Sequence, residues 1–305
     1  MASSTHGSAA KAILYAFLAN FGIALSKSWA AWLTGSGSML AEAIHSYADA
    51  GNQVLLYTGL RQSQRPPDEN HPLGYGKLSY FWSFVVALLL FSLGGLFSIY
   101  EGFHKFQHPE PISEVWIALL VLGVAIVLEA LSLAGCLREI RLVRGEQPFR
   151  EWLKHTRNAE LVVVFGEDIA AIFGLCLAFG FLSVASLTGD PVYDAIGSMC
   201  IGVTLVVISI FIATHVRSLL VGRSAEPVIR QKMRDIISAN PDIAEVYRMI
   251  TIQFGADTML AAKIRMIDGI PLGQAVASIN EMERQLKEAI PNLRWSFIEP
   301  DTTDR

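Results

Sequence analysis

Glu42, His45, Asp49 and Asn52 follow one another at offsets of three, four and three residues, inside a run from Met39 to Leu60 that is otherwise mostly apolar. That spacing stacks side chains along one side of a helix. One turn apart, His45 and Asp49 can offer a nitrogen and an oxygen to a single small cation. A hydrogen-bonded polar seam between helices is the competing reading, and this run alone does not separate the two. A second run, from Ala159 to Leu182, carries Glu160, Val164, Glu167 and Asp168 at helical spacing, so its three carboxylates can share one face. An ionisable residue inside such a run costs ~2.5–3.5 kcal/mol on insertion scales, so each one calls for a reason. Two carboxylate-bearing helices are hard to explain by packing alone. If Asp168 faces His45 and Asp49, the three make a His/Asp/Asp cage suited to Zn²⁺ and tolerant of other first-row divalent ions.

The elements that must position these residues are membrane spans. The chain has 305 residues, of which 52% are hydrophobic and only 17% charged, and its mean hydropathy is +0.41. A soluble domain carries roughly 25% charged residues. The shortfall argues against a soluble enzyme and a disordered tail, and a net charge of −4 supplies no basic field for nucleic acid. Six segments reach the ~20 apolar residues that cross a bilayer: Ala12 to Leu33, Met39 to Leu60, Leu78 to Tyr100, Val115 to Leu137, Ala159 to Leu182 and Val192 to Val221. Arg138, Arg141, Arg144, Arg150, Lys154 and Arg157 lie between the fourth and fifth, and Arg61, Arg65 and Lys77 between the second and third. The first-to-second and fifth-to-sixth connections have no Lys or Arg. The positive-inside rule then places both termini in the cytoplasm.

Composition changes near Gly222. Residues 223–305 contain 23 charged residues among 83, against 29 among the first 222, which divides the chain into a transmembrane domain, 1–222, and a small cytoplasmic domain, 223–305. The tail reads as αββαβ. Ser224 is placed to cap a helix from Glu226 to Ala239, and Val246 to Phe254 and Thr258 to Met266 are strands joined by a hairpin with a longer loop at residues 255–257. A helix from Leu272 to Ile290 and a strand from Trp295 to Ile298 complete it. So small a core would gain from pairing with a copy of itself. Cys136, Cys176 and Cys200 show no CxxC spacing and read as small core residues. The first residues lack a basic region leading to a short apolar stretch, so the expectation is a retained first span, with no long transit peptide, in a bacterial inner membrane.

His45 and Asp49 in the second span, six spans with internal termini, the stretch 68–77 with Asp68, His71, Tyr75 and Lys77, Asp190-Pro191 before the sixth span, and the αββαβ tail together resemble the cation diffusion facilitator, or zinc-transporter, family. The resemblance runs from about Lys11 to Pro300. It implies a ferredoxin-like tail and a homodimer that exchanges a divalent metal, usually zinc, for protons by alternating access, with metal and protons as cargo and no bound cofactor. It also implies that Val164 stands where the family's fifth span carries a histidine, leaving water, Glu167 or Glu160 as fourth ligand. The Glu167-Asp168 pair is most similar to the mitochondrial zinc-exporter branch and its bacterial relatives. Asp68 and His71 match positions that bind a second zinc in some members, although Tyr75 replaces a frequent third ligand and loop anchoring is the stronger reading. The tail has no His or Cys, so a histidine-rich binuclear site is not expected there.

Metal requires neutral imidazole and ionised carboxylate, so protons compete with it for His45, Asp49 and Asp168. His45 is the best proton carrier, since an unperturbed imidazole titrates near 6.5. Val164 favours an alternative: a non-transporting membrane metal sensor or scaffold of the same fold. No GxSxG or HExxH element supports a hydrolase. Glu129 in the fourth span is read as structural, and Lys27 as snorkelling to the outer face, with Trp29 and Trp32 in an aromatic belt.

Overall fold

The computed structural model describes residues 2–34, 37–108 and 115–304, without the side chains of residues 2–6, 30–31, 33–45 and 48. Helices come first along the chain: α1 (Ala2–Thr34), α2 (Gly37–Ser63), α3 (Leu78–Leu89), α4 (Phe97–Gln107), α5 (Val115–Arg144), α6 (Phe149–His155), α7 (Ala159–Thr188) and α8 (Val192–Val221). A π-helical stretch, Leu90–Leu96, joins α3 to α4 without a break. Among the described residues five segments are long and apolar enough to cross a membrane: Gly7–Trp29, Leu78–Gln107, Val115–Arg144, Ala159–Thr188 and Val192–Val221. Helix α2 is not in that set. Its 27 residues are long enough, but the side chains of residues 37–45 and 48 lie outside the described residues, and the described part carries Asp49, Asn52 and Gln53.

α1 packs against α2 and α5, α5 against α7, and α7 against α8, while α3 and α4 lie along α8. Ala12, Ala16, Leu56, Tyr80, Cys136, Val163 and Val216 belong to the buried core these helices share. Close approach of α8 to the π-helical stretch and α4 depends on missing side chains: a Cβ on Gly202 would come within 2.7 Å of the Gly95 carbonyl oxygen and of the Ile99 amide nitrogen. Helix α7 is fixed in register at both ends. Asn158 Oδ1 accepts from the Leu161 amide at 3.2 Å, and Gly189, at φ 72°, closes the last turn in the left-handed region.

The tail contains α9 (Pro227–Ser238), β1 (Ile243–Phe254), β2 (Asp257–Met266), α10 (Leu272–Ala289) and β3 (Leu293–Pro300). β2 is central, antiparallel to β1 and parallel to β3. Strand alternation turns Leu260, Ala262 and Ile264 toward Met233 and Ile237 of α9 and Met282 and Leu286 of α10. Two local expectations are corrected. Ser224 does not cap α9: Glu226 occupies the N-cap without a side-chain bond, and Pro227, whose fixed φ suits a first helical position, begins the helix; the Ser224 carbonyl accepts from Arg157 Nε at 2.7 Å. The β1–β2 connection is a tight turn, since Phe254 pairs with Asp257 and Gly255, at φ 61°, supplies the positive torsion it needs.

That turn is held against the connection between α2 and α3. Tyr80 donates to the Gly255 carbonyl at 3.1 Å, and Lys77 Nζ lies 5.1 Å from the Phe254 ring centroid. On the other connection, Arg157 Nη2 donates to the Ala225 carbonyl at 3.3 Å and Arg223 Nη2 to the Lys154 carbonyl at 2.8 Å. Burial holds the Arg157 guanidinium down to about 10, with the charge of Arg223 contributing, so it stays cationic at neutral pH.

Candidate metal centre

The carboxylates of α7 face into the bundle. Glu160, Glu167 and Asp168 are all buried, Asp168 with 1% of its surface exposed. Glu167 reaches across to α2, where its Oε1 accepts from Asn52 Nδ2 at 3.3 Å and its Oε2 from Gln53 Nε2. Asp168 turns toward α5: its Oδ1 accepts from Ser132 Oγ at 3.0 Å, and its Oδ2 has no hydrogen-bond partner among the described residues. A buried oxygen left in that state costs about 1–3 kcal/mol. Val164 is buried in the helix core.

Asp49 on α2 is half-buried. With Asn52 and Leu55 it lines a cavity of about 290 Å³, closed on its other side by Leu90, Leu93 and Gly94 of the π-helical stretch. Glu129 on α5 ties the two acidic helices together, being buried and within electrostatic reach of Asp168, Asp49 and Lys27. Lys27 therefore does not snorkel outward. It is 8% exposed and within electrostatic reach of Glu129, a buried partner that a snorkelling lysine would give up. Trp29 and Trp32 are exposed, and so is Cys176, which is not a core residue.

The side chains of Glu42 and His45 lie outside the described residues. Among the described residues no three His, Cys, Asp or Glu side chains converge closely enough to hold one ion. The spacing of polar residues on α2 pointed to Asn52 but passed over Gln53, whose signal was a second amide within one turn of Asp49. Ser132 and the π-helical wall were also missed. The adjacent Gly94 and Gly95 inside an apolar span were the available sign of irregular backbone there.

In the loop between α2 and α3 the residues anchor one another. Asp68 Oδ1 accepts from the amides of Asn70 and His71 at 3.0 and 2.7 Å, and Asp68 Oδ2 accepts from the Tyr75 hydroxyl at 2.6 Å. His71 Nδ1 stands 3.4 Å from Asp68 Oδ1. The Tyr75 bond first, then the His71 amide, hold the Asp68 carboxyl below its usual 3.8. A depressed folded value supports the loop above pH 3.8, and that support is lost as pH falls through the lowered value. In an acid titration followed by Tyr75 ring resonances, the loop should stay closed at about pH 4 and open only below it. Opening at higher pH, or no response to Asp68→Asn, would contradict this reading.

Comparison with known proteins agrees with the helix arrangement. The family model described as the cation efflux transmembrane domain matches residues 13–221. The chain is 32% identical over 258 residues to the mitochondrial proton-coupled zinc antiporter SLC30A9 of Xenopus laevis, covering 84% of this chain and 45% of that protein. It is 30% identical over 259 residues to the human protein of the same name, covering 84% and 44%. It is 23% identical over 271 residues to the cation-efflux pump FieF of Escherichia coli O1:K1, covering 88% and 84%. The chain thus spans less than half the length of the two mitochondrial relatives. By these matches it is a multi-pass integral membrane protein, and it belongs to the cation diffusion facilitator, or cation efflux, family, alongside the mitochondrial zinc branch.

Proposed function

We propose that this chain moves a divalent cation, zinc foremost, out of the cytoplasm in exchange for protons by alternating access. His45, Asp49 and Asp168 hold the ion, with Glu167, Glu160, Glu42 or Asn52 available to complete its shell or relay protons. α2 crosses the bilayer as a sixth span, both termini are cytoplasmic, and the boundary falls between residues 222 and 223. The observation that carries the reading is the buried Asp168 Oδ2, which has no hydrogen-bond partner among the described residues, one residue from a carboxylate clamped to α2 by two amides. A bundle that leaves an acceptor bare while satisfying its neighbour has room for a transient positive partner. Because ion and proton compete for the same oxygens, loading one releases the other.

The homodimer is part of the proposal. Ile250, Ala261 and Phe297 share one cross-strand row on the sheet face opposite α9 and α10, and Ile250 and Phe297 remain 48% and 58% exposed. An apolar strip of that kind suits a second ferredoxin-like tail. The membrane is proposed to be a bacterial inner membrane.

The test is counterflow. The full chain in proteoliposomes carrying an internal pH dye should release protons when zinc is imposed, in proportion to zinc taken up. Zinc binding without proton movement would sink the antiport reading and favour a sensor or scaffold of the same fold. Competition by manganese, cobalt and nickel in the same vesicles ranks the ions.

A further inference from the structure

Away from the acidic interior, α6 and the last turns of α8 border an open groove of about 590 Å³, lined by Arg150, Lys154, Arg223 and His215 together with the apolar Leu153 and Phe211. No carboxylate lines it. Arg150 and Lys154 are exposed, and neither side chain has an ion-pair partner among the described residues. Arg223 is fixed in place by its bond to the Lys154 carbonyl at 2.8 Å. His215 keeps a buried Nε2 with no hydrogen-bond partner among the described residues. Exposed cations without an ion-pair partner among the described residues mark a site whose counter-charge comes from outside the chain.

Position narrows what that counter-charge is. The groove lies where α8, a membrane-crossing helix by length and composition, meets the basic connection between α5 and α7. Below it, the α8 face that carries Val207 and Phe211 is exposed and suited to acyl chains. Basic pockets at such a level attract anionic lipid, and the attraction falls off within a Debye length. We propose that this groove binds the phosphate headgroup of an anionic phospholipid, with Arg150, Lys154 and Arg223 on the phosphate.

Native mass spectrometry of the full chain in neutral detergent tests this, with phosphatidylglycerol and phosphatidylcholine as probes. Phosphatidylglycerol should be retained preferentially. The exposed double variant Arg150→Gln/Lys154→Gln should lose about 30-fold of that affinity, roughly fivefold per interfacial charge, with phosphatidylcholine unchanged. Arg150→Lys/Lys154→Arg should keep it. If the double variant fails to fold, Lys154→Gln alone should lose about fivefold. Equal retention of the two lipids, or of phosphatidylglycerol by wild type and variant, overturns the proposal. Displacement by millimolar inorganic phosphate overturns the lipid assignment and identifies free phosphate as the ligand. Lipid retention is read without transport, so its failure leaves the metal centre untouched.

Discussion

Asp168→Asn should reduce zinc-driven proton flux by about 100-fold or more, since removing a partner that merely orients a ligand already costs 10–100-fold. The same substitution should raise the melting temperature of the metal-free protein. Asp168 is 1% exposed, one of its oxygens has no hydrogen-bond partner among the described residues, and Glu167 lies within electrostatic reach. A neutral amide of the same size keeps the Ser132 bond and removes a buried charge, which is worth about 1–2 kcal/mol. Wild type should instead gain stability from zinc, in proportion to its occupancy, and the variant should not. The opposite movement of activity and stability distinguishes a binding group from a packing one. Ser132→Ala, which removes only the bond at 3.0 Å, should leave transport within about tenfold of wild type. Flux retained by Asp168→Asn would remove this residue from the centre.

How much of this was readable beforehand depended on the range of the interaction. Helix existence was legible because runs of apolar residues are a local property, and the segment from Val192 to Val221 agrees with its expected ends. The strands of the tail were legible for the same reason, through alternation and the glycine at 255. Features set by contacts between distant residues were not. Whether α7 turns Glu167 to α2 and Asp168 to α5 is decided by Asn52, Gln53 and Ser132, which lie 115, 114 and 36 residues away. Lys27 read as an interfacial residue because the carboxylate within its electrostatic reach, Glu129, comes from α5, about a hundred residues later. Ser224 looked like a cap, but the helix begins three residues later at Pro227, and the serine's carbonyl is held by Arg157, 67 residues earlier. The short helix α6 lies in a segment that gave only a charge count, and one wall of the basic groove depends on it.

The junction between the helices and the tail depends on one contact that no side chain makes. A Cβ placed on Gly76 would run into the Phe254 carbonyl oxygen and come within 2.7 Å of its carbon. From the other side, a Cβ on Gly255 would sit 2.7 Å from the Gly76 oxygen. Both obstacles are backbone, so no rotamer change relieves them, and Gly76→Ala must push the hairpin away from the loop. Overpacking of this kind costs about 1–3 kcal/mol. The displaced hairpin then loses the Tyr80 bond to Gly255 at 3.1 Å and the Lys77 contact with Phe254. Hydrogen exchange at residues 252–258 should therefore accelerate by about tenfold or more, while protection of the α9 and α10 core remains. Zinc should still bind, because the centre lies within the bundle, but flux should fall if the tail steadies the helices during exchange. Gly273→Ala is the matched control: nothing lies within 4 Å of its added carbon, and inside α10 the change should be neutral or stabilising by ~0.5–1 kcal/mol. Unaltered exchange in Gly76→Ala would show that this glycine does not hold the tail. Loosened exchange with full flux would show that the joint fastens the two parts without taking part in transport.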